Sequence, residues 1–229
     1  MTTVAAGSLA EIRNRIETRQ ARVGIVGMGY VGLPLALLFS GEKFRVTGFD
    51  IAGDKVKTLN AGGSYIVRIL PETIREARKA GFRATADYSE IAAMDAVIIC
   101  VPTPLNETHE PDLSYVTGTV KAIAPHLHEG QLIVLESTTY PGTTEELVVP
   151  LLDEGNPLSL KVARGEKAQG IHVAFSPERE DPGNETVARH DIPKVVGGCG
   201  TVAAELASVV SSIVWQQPSQ MASKAVPRW

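Results

Sequence analysis

The 229-residue sequence is poor in cysteine: Cys100 and Cys199 are the only two, far apart and outside any CxxC pair. That excludes a disulfide framework and a zinc–thiolate site, and it predicts a reducing, cytoplasmic setting. The five histidines are scattered without ligand spacing, so no metal site is predicted. Positive charge is not in excess either. With 22 Lys and Arg against 26 Asp and Glu the net charge is -4, and no nucleic-acid surface is expected. Long apolar runs are missing too. Residues 1 to 20 hold no apolar signal-peptide core and no stretch approaches membrane-spanning length, so neither a leader nor a membrane anchor is expected.

What is present is an ordinary globular composition, 44% hydrophobic and 21% charged, at a length that suits one domain with appendages. The stretch that organises the chain is Arg22-Val-Gly-Ile-Val-Gly-Met-Gly-Tyr-Val-Gly-Leu-Pro-Leu-Ala36. Gly27, Gly29 and Gly32 stand at GxGxxG spacing between a strand-like Val23 to Val26 and a helix-like Val31 to Phe39. In such a loop the first glycine makes a turn that other residues resist. The second lets the backbone approach a pyrophosphate, and the third lets the helix pack on the strand with the anion at its N-terminus. A second strand-like run, Phe44 to Asp50, ends in a carboxylate eighteen positions after Gly32, where an adenosine ribose would be held. A carboxylate there repels the extra phosphate of NADP, so NAD is the expected cofactor.

The rest of the chain alternates strands and helices. Helices are predicted around Leu9 to Glu17 with Ser8 as N-cap, at Asp54 to Asn60, at Pro71 to Lys79, from Asp112 towards Ala124, from Glu145 to Leu152 and at Thr201 to Val214. Strands are predicted at Arg83 to Thr85, Ala96 to Val101, Gln131 to Glu136, Ile171 to Ser176 and, as a short edge strand, Lys194 to Gly198. A run such as Ala96 to Val101, apolar on both faces, belongs in the middle of a parallel sheet. The expected fold is α/β, a doubly wound, mostly parallel Rossmann sheet in a single domain. It divides into an N-terminal helical extension over 1–21, a dinucleotide-binding domain over 22–215 and an irregular tail over 216–229. The polar segments that follow the strands, Pro102 to Asn106, Ser137 to Thr143 and Pro177 to Gly183, are where ligands bind in such sheets.

Six motifs occur in order: Gly27-Met-Gly-Tyr-Val-Gly32, Val101-Pro-Thr-Pro-Leu105, Pro111-Asp-Leu-Ser114, Glu136-Ser-Thr-Thr-Tyr-Pro-Gly-Thr-Thr144, Phe175-Ser-Pro-Glu-Arg179 and Pro193-Lys-Val-Val-Gly-Gly198. With them the sequence resembles the UDP-glucose/GDP-mannose dehydrogenase family from about Val23 to Val214, its N-acetylhexosamine branch most of all. The resemblance implies oxidation of a nucleotide sugar, a UDP-sugar first, from C6 alcohol to carboxylate with two NAD reduced, as in polysaccharide biosynthesis. In that family a cysteine attacks the intermediate aldehyde, and the thioester that follows is hydrolysed. The resemblance places cofactor contacts at Gly27, Met28, Gly29, Tyr30, Val31, Gly32, Asp50, Lys55, Val101, Thr103, Ser137 and Thr138, with Lys55 near the adenosine. Thr138 would also hold a catalytic water or alkoxide, Glu178 would be the acid/base, and Arg179 to Gly183 would shape the sugar site.

Turn-forming or capping roles are the competing interpretation of Thr103 and Thr138, and a solvated loop position that of Glu178. Cys100, inside an apolar strand, reads as a small buried hydrophobe, and Cys199 does not match the family's nucleophile. The match stops around Trp215, before the family's long central helix with its lysine and asparagine and before the domain that carries the cysteine. The sequence is therefore expected to represent a truncated piece, an abnormal end of the reading frame or an atypical short protein, which binds NAD but does not turn over alone. Two alternatives stand beside this one: a non-catalytic NAD-binding or interaction module, and a small Rossmann hydroxy-acid dehydrogenase. Oligomeric state is left open, since lack of the central helix favours a monomer and exposed apolar surface favours association.

Overall fold

A computed structural model describes residues 9–107, 109–165, 169–177, 194–215 and 220–221. Its sheet starts from β1 (Arg22–Val26), with β2 (Arg45–Phe49) and then β3 (Arg83–Thr85) on one side. On the other side follow β4 (Ala96–Ile99), β5 (Leu132–Leu135), β6 (His172–Phe175), β7 (Val195–Gly198) and β8 (Gln220–Met221). The order β3-β2-β1-β4-β5-β6 is parallel throughout, which is the doubly wound arrangement that the apolar strands predicted. β7 turns antiparallel to β6, and β8 runs parallel to β7. The edge strand expected at Lys194 to Gly198 is not the edge: β8 lies beyond it, from within a tail whose composition carries no strand period.

Among the described residues, seven α-helices clothe the sheet. These are α1 (Leu9–Glu17), α2 (Gly32–Gly41), α3 (Gly53–Asn60), α4 (Pro71–Lys79), α5 (Ser114–Ile123), α6 (Val149–Gly155) and α7 (Thr201–Trp215). The two-residue period of the strands sorts their side chains between two cores. Val23, Ile25, Ile98, Leu132 and Val134 join Phe39, Leu206 and Val210 on one face. Val26, Val97, Ile99, Ile133 and Leu135 join Val116, Val120 and Leu152 on the other. α1 buries Ile12 and Ile16, and its Arg15 donates to Asp95 Oδ2 at 2.8 Å, tying the N-terminal helix to the start of β4.

Two local features depart from the sequence expectation. β4 ends at Ile99, so Cys100 lies just past the strand, although its N–H still donates to Val26 O at 2.8 Å and the residue is buried. The helix expected from Glu145 to Leu152 opens with a π-helical turn over Thr144–Val148 before α6. Pro150 has no N–H to offer the carbonyl of Glu146, which breaks a continuous α ladder, and the N–H of Val149 reaches back to Thr144 O.

Candidate functional site

The parallel register brings the C-terminal ends of β1, β2, β4 and β5 to one edge, and a cleft of about 1360 Å³ opens there. Its floor is the glycine loop. Gly27 has φ +95°, and a Cβ on it would lie 2.7 Å from Cys100 O, so both the turn and the backbone leaving β4 require glycine. A Cβ on Gly32 would lie 1.9 Å from Gly27 O, so the first turn of α2 is pressed onto the loop. Gly29 is the contrast: a Cβ there meets nothing within 4 Å, so its backbone faces open space. Val31 caps α2 without a side-chain hydrogen bond, and Pro34 falls in the first turn, where its missing N–H costs nothing. An uncapped helix start behind an open glycine is a ready anion cradle.

Asp50 sits at the end of β2 and is only 7% exposed. Its Oδ2 accepts from Met28 N at 2.9 Å and from Lys55 Nζ at 3.3 Å, and its Oδ1 accepts from Ala52 N at 2.8 Å. The carboxylate thus fastens the glycine loop to β2 while remaining on the cleft wall. Tyr65 completes this end, donating its hydroxyl to Met28 O at 2.5 Å, with Lys55 Nζ 5.8 Å from its ring centroid. Burial, and secondarily the charge of Asp50, push the Tyr65 phenol well above its ordinary value, so it stays a donor. No periodicity or motif pointed to Tyr65, which stands in an unpatterned stretch after Gly62 and Gly63.

The far end is stapled by two hydroxyls. Ser137 Oγ donates to Val101 O at 2.7 Å, and Thr103 Oγ1 donates to Thr138 O at 2.7 Å, joining the segments that leave β4 and β5. Of the residues expected from the sequence, Gly27, Gly29, Tyr30, Val31, Asp50, Lys55, Val101, Thr103, Ser137 and Thr138 line the one cleft. Met28 and Gly32 act from behind it. Met28 is wholly buried, its sulfur against Gly48, and Gly32 lies against Gly27. Glu178 and the loop from Arg179 to Gly183 lie outside the described residues. The frame fits a dinucleotide: an open anion cradle at Gly29, a fixed carboxylate at one end and a hydroxyl-lined pocket at the other.

Neither cysteine offers a nucleophile. Burial first, and then the charge of Glu145, push the Cys199 thiol up to about 12, while the guanidinium of Arg164 offsets part of this. Cys100 is 7% exposed. Native protein treated with a thiol reagent at pH 8 should therefore release far less than the two equivalents released after denaturation. Full release from the native state would overturn the assignment. Among the described residues, no group of three His, Cys, Asp or Glu side chains is placed to hold a metal ion, and no helix is long and apolar enough to cross a membrane.

The family model of the UDP-glucose/GDP-mannose dehydrogenase family, NAD binding domain, matches residues 21–214. The chain is 35% identical over 192 residues to the UDP-N-acetyl-D-mannosamine dehydrogenase of Yersinia pestis, covering 83% of this chain and 45% of that protein. It is 35% identical over 187 residues to the UDP-N-acetyl-D-glucosamine 6-dehydrogenase of Salmonella typhi, covering 82% of this chain and 42% of that one. The crystal structure of NDP-N-acetyl-D-galactosaminuronic acid dehydrogenase from Methanosarcina mazei Go1 matches with a TM-score of 0.77 at 29% identity, over 92% of this chain and 46% of that chain. The chain spans somewhat under half the length of these proteins.

Proposed function

The chain belongs to the UDP-glucose/GDP-mannose dehydrogenase family, and we propose that it supplies the NAD-binding half of a nucleotide-sugar 6-dehydrogenase of the UDP-N-acetylhexosamine branch. NAD is the cofactor, and when bound it accepts the hydride removed from the substrate carbon. The observation that carries the proposal is the single cleft that runs from Asp50 past Gly29 to Thr138. Asp50 and Lys55 hold the adenosine ribose, and the backbone at Gly29 and the start of α2 hold the pyrophosphate. Val101, Thr103, Ser137 and Thr138 shape the end where hydride transfer takes place.

The substrate in this proposal is a UDP-N-acetylhexosamine oxidised at C6 to the carboxylate in the cytoplasm. Losing hydride from an alcohol requires removal of its hydroxyl proton, and an exposed Thr138 hydroxyl on the cleft wall is suited to hold that alkoxide or a water. Glu178, three residues beyond the end of β6, is the proposed acid/base. The second oxidation needs a thiolate, which neither Cys100 nor Cys199 provides.

Calorimetry with the 229-residue polypeptide should give NAD binding that is tighter than NADP binding. Incubation with NAD and UDP-N-acetylhexosamines should give no sustained NADH formation. Tighter binding of NADP would overturn the cofactor geometry, and sustained turnover would overturn the reading that neither Cys100 nor Cys199 acts as the nucleophile.

A further inference from the structure

β5 ends in a carboxylate that the cofactor frame has not used. Glu136 lines the cleft immediately before Ser137 and Thr138, yet its side chain is only 2% exposed. Its Oε1 lies 3.2 Å from Nζ of Lys194, itself 5% exposed. Lys194 precedes β7, and the antiparallel pairing of Phe175 with Gly197 brings that end of β7 to the edge where β5 and β6 finish. α7 leaves the opposite edge at Thr201 and returns, and the ring of its last residue, Trp215, stands with its centroid 4.5 Å from the same Nζ. β5, β7 and α7 therefore meet on one ammonium at the root of the Ser137–Thr138 segment.

Burying two charges is costly, and a buried ion pair is poor evidence of a stability gain over apolar side chains of the same size. A pair kept buried on the cleft wall beside Trp215 calls for another role, and its position supplies one. We propose that Lys194 is a positioning residue: through Glu136 it holds the end of β5 so that Ser137 and Thr138 line the nicotinamide end of the cleft. This rests on the NAD-binding reading, in which Asp50 marks the adenosine end and the ends of β4 and β5 mark the other. Lys194 meets Glu136 and Trp215 at the end of the cleft where β5 finishes, so its loss is felt first where the nicotinamide sits.

The test compares the affinity for NAD with that for ADP-ribose, which keeps the adenosine, the pyrophosphate and the second ribose but lacks the nicotinamide. In Lys194→Met, NAD binding should weaken about tenfold while ADP-ribose binding stays within about twofold, and Lys194→Arg should restore the NAD value. A general loss of structure would weaken both ligands together, and that result, or no change in either, overturns the proposal. Should Lys194→Met not fold, the double variant Glu136→Gln/Lys194→Met removes both charges of the pair together. It is expected to fold and to show the same selective loss, and a wild-type ratio in it overturns the proposal. Wild-type protein that binds neither ligand would sink the NAD-binding reading itself, and this inference with it.

Discussion

Gly32→Ala should abolish measurable NAD binding, a loss of more than about 100-fold, and destabilise the fold by about 2 to 4 kcal/mol. The added Cβ would lie 1.9 Å from Gly27 O and 3.2 Å from Cys100 Cβ, and neither neighbour is a flexible side-chain end. Relief requires α2 to move off the loop, which opens the anion cradle and spoils the packing of Leu33, Leu35 and Phe39 at once. In a chain of this size, the destabilisation corresponds to a fall of about 5 to 15 °C in melting temperature. Gly29→Ala separates the two effects. With nothing within 4 Å of its new Cβ, it should leave the melting temperature within about 2 °C of wild type. The methyl group does enter the space that the pyrophosphate needs, so NAD affinity should fall about tenfold or more. Thermal melts beside NAD titrations on the two variants decide the matter. An unchanged affinity in Gly29→Ala would place the pyrophosphate elsewhere.

These glycines were legible in the sequence because each answers a local demand, a positive φ, a close approach or a tight helix start, that a fixed spacing encodes. The parallel core was legible for a similar reason. Val97 to Ile99 and Leu132 to Leu135 are apolar on both faces, and only a strand covered on both sides can use such a run. The direction of β7 was not legible, since Val195-Val-Gly-Gly198 reads the same whether it runs with or against β6. The site divides along the same line. Asp50 is found by counting from the glycines, whereas Tyr65 and Lys194 act on groups 37 and 58 positions away in the sequence. No period carries such a pairing; only the closed sheet brings the partners together. Thr103 and Thr138 belong to both kinds, for the motifs picked them out as ligand contacts, and the structure adds that one hydroxyl holds the other's backbone.

Asp50→Ala should weaken NAD binding about 100-fold and bring the affinities for NAD and NADP to within a few-fold of each other. Two losses combine in that figure. The ribose hydroxyls lose their acceptor, and the glycine loop loses its anchor, because Met28 N and Ala52 N both donate to this carboxylate. Lys55, released from its ion pair at 3.3 Å, then stands beside the ribose as an unopposed cation. An ammonium there attracts the 2′-phosphate that the carboxylate repelled, so NADP loses less affinity than NAD does. The Tyr65 hydroxyl still holds Met28 O, which keeps the loop near its place and keeps the variant able to bind at all. Lys55→Ala provides the control. It removes the cation and leaves the repelling carboxylate, so NAD should weaken only modestly and the preference over NADP should widen. If Asp50→Ala kept the wild-type preference, discrimination would reside elsewhere on the cleft wall, and the ion pair with Lys55 would serve only to hold the loop.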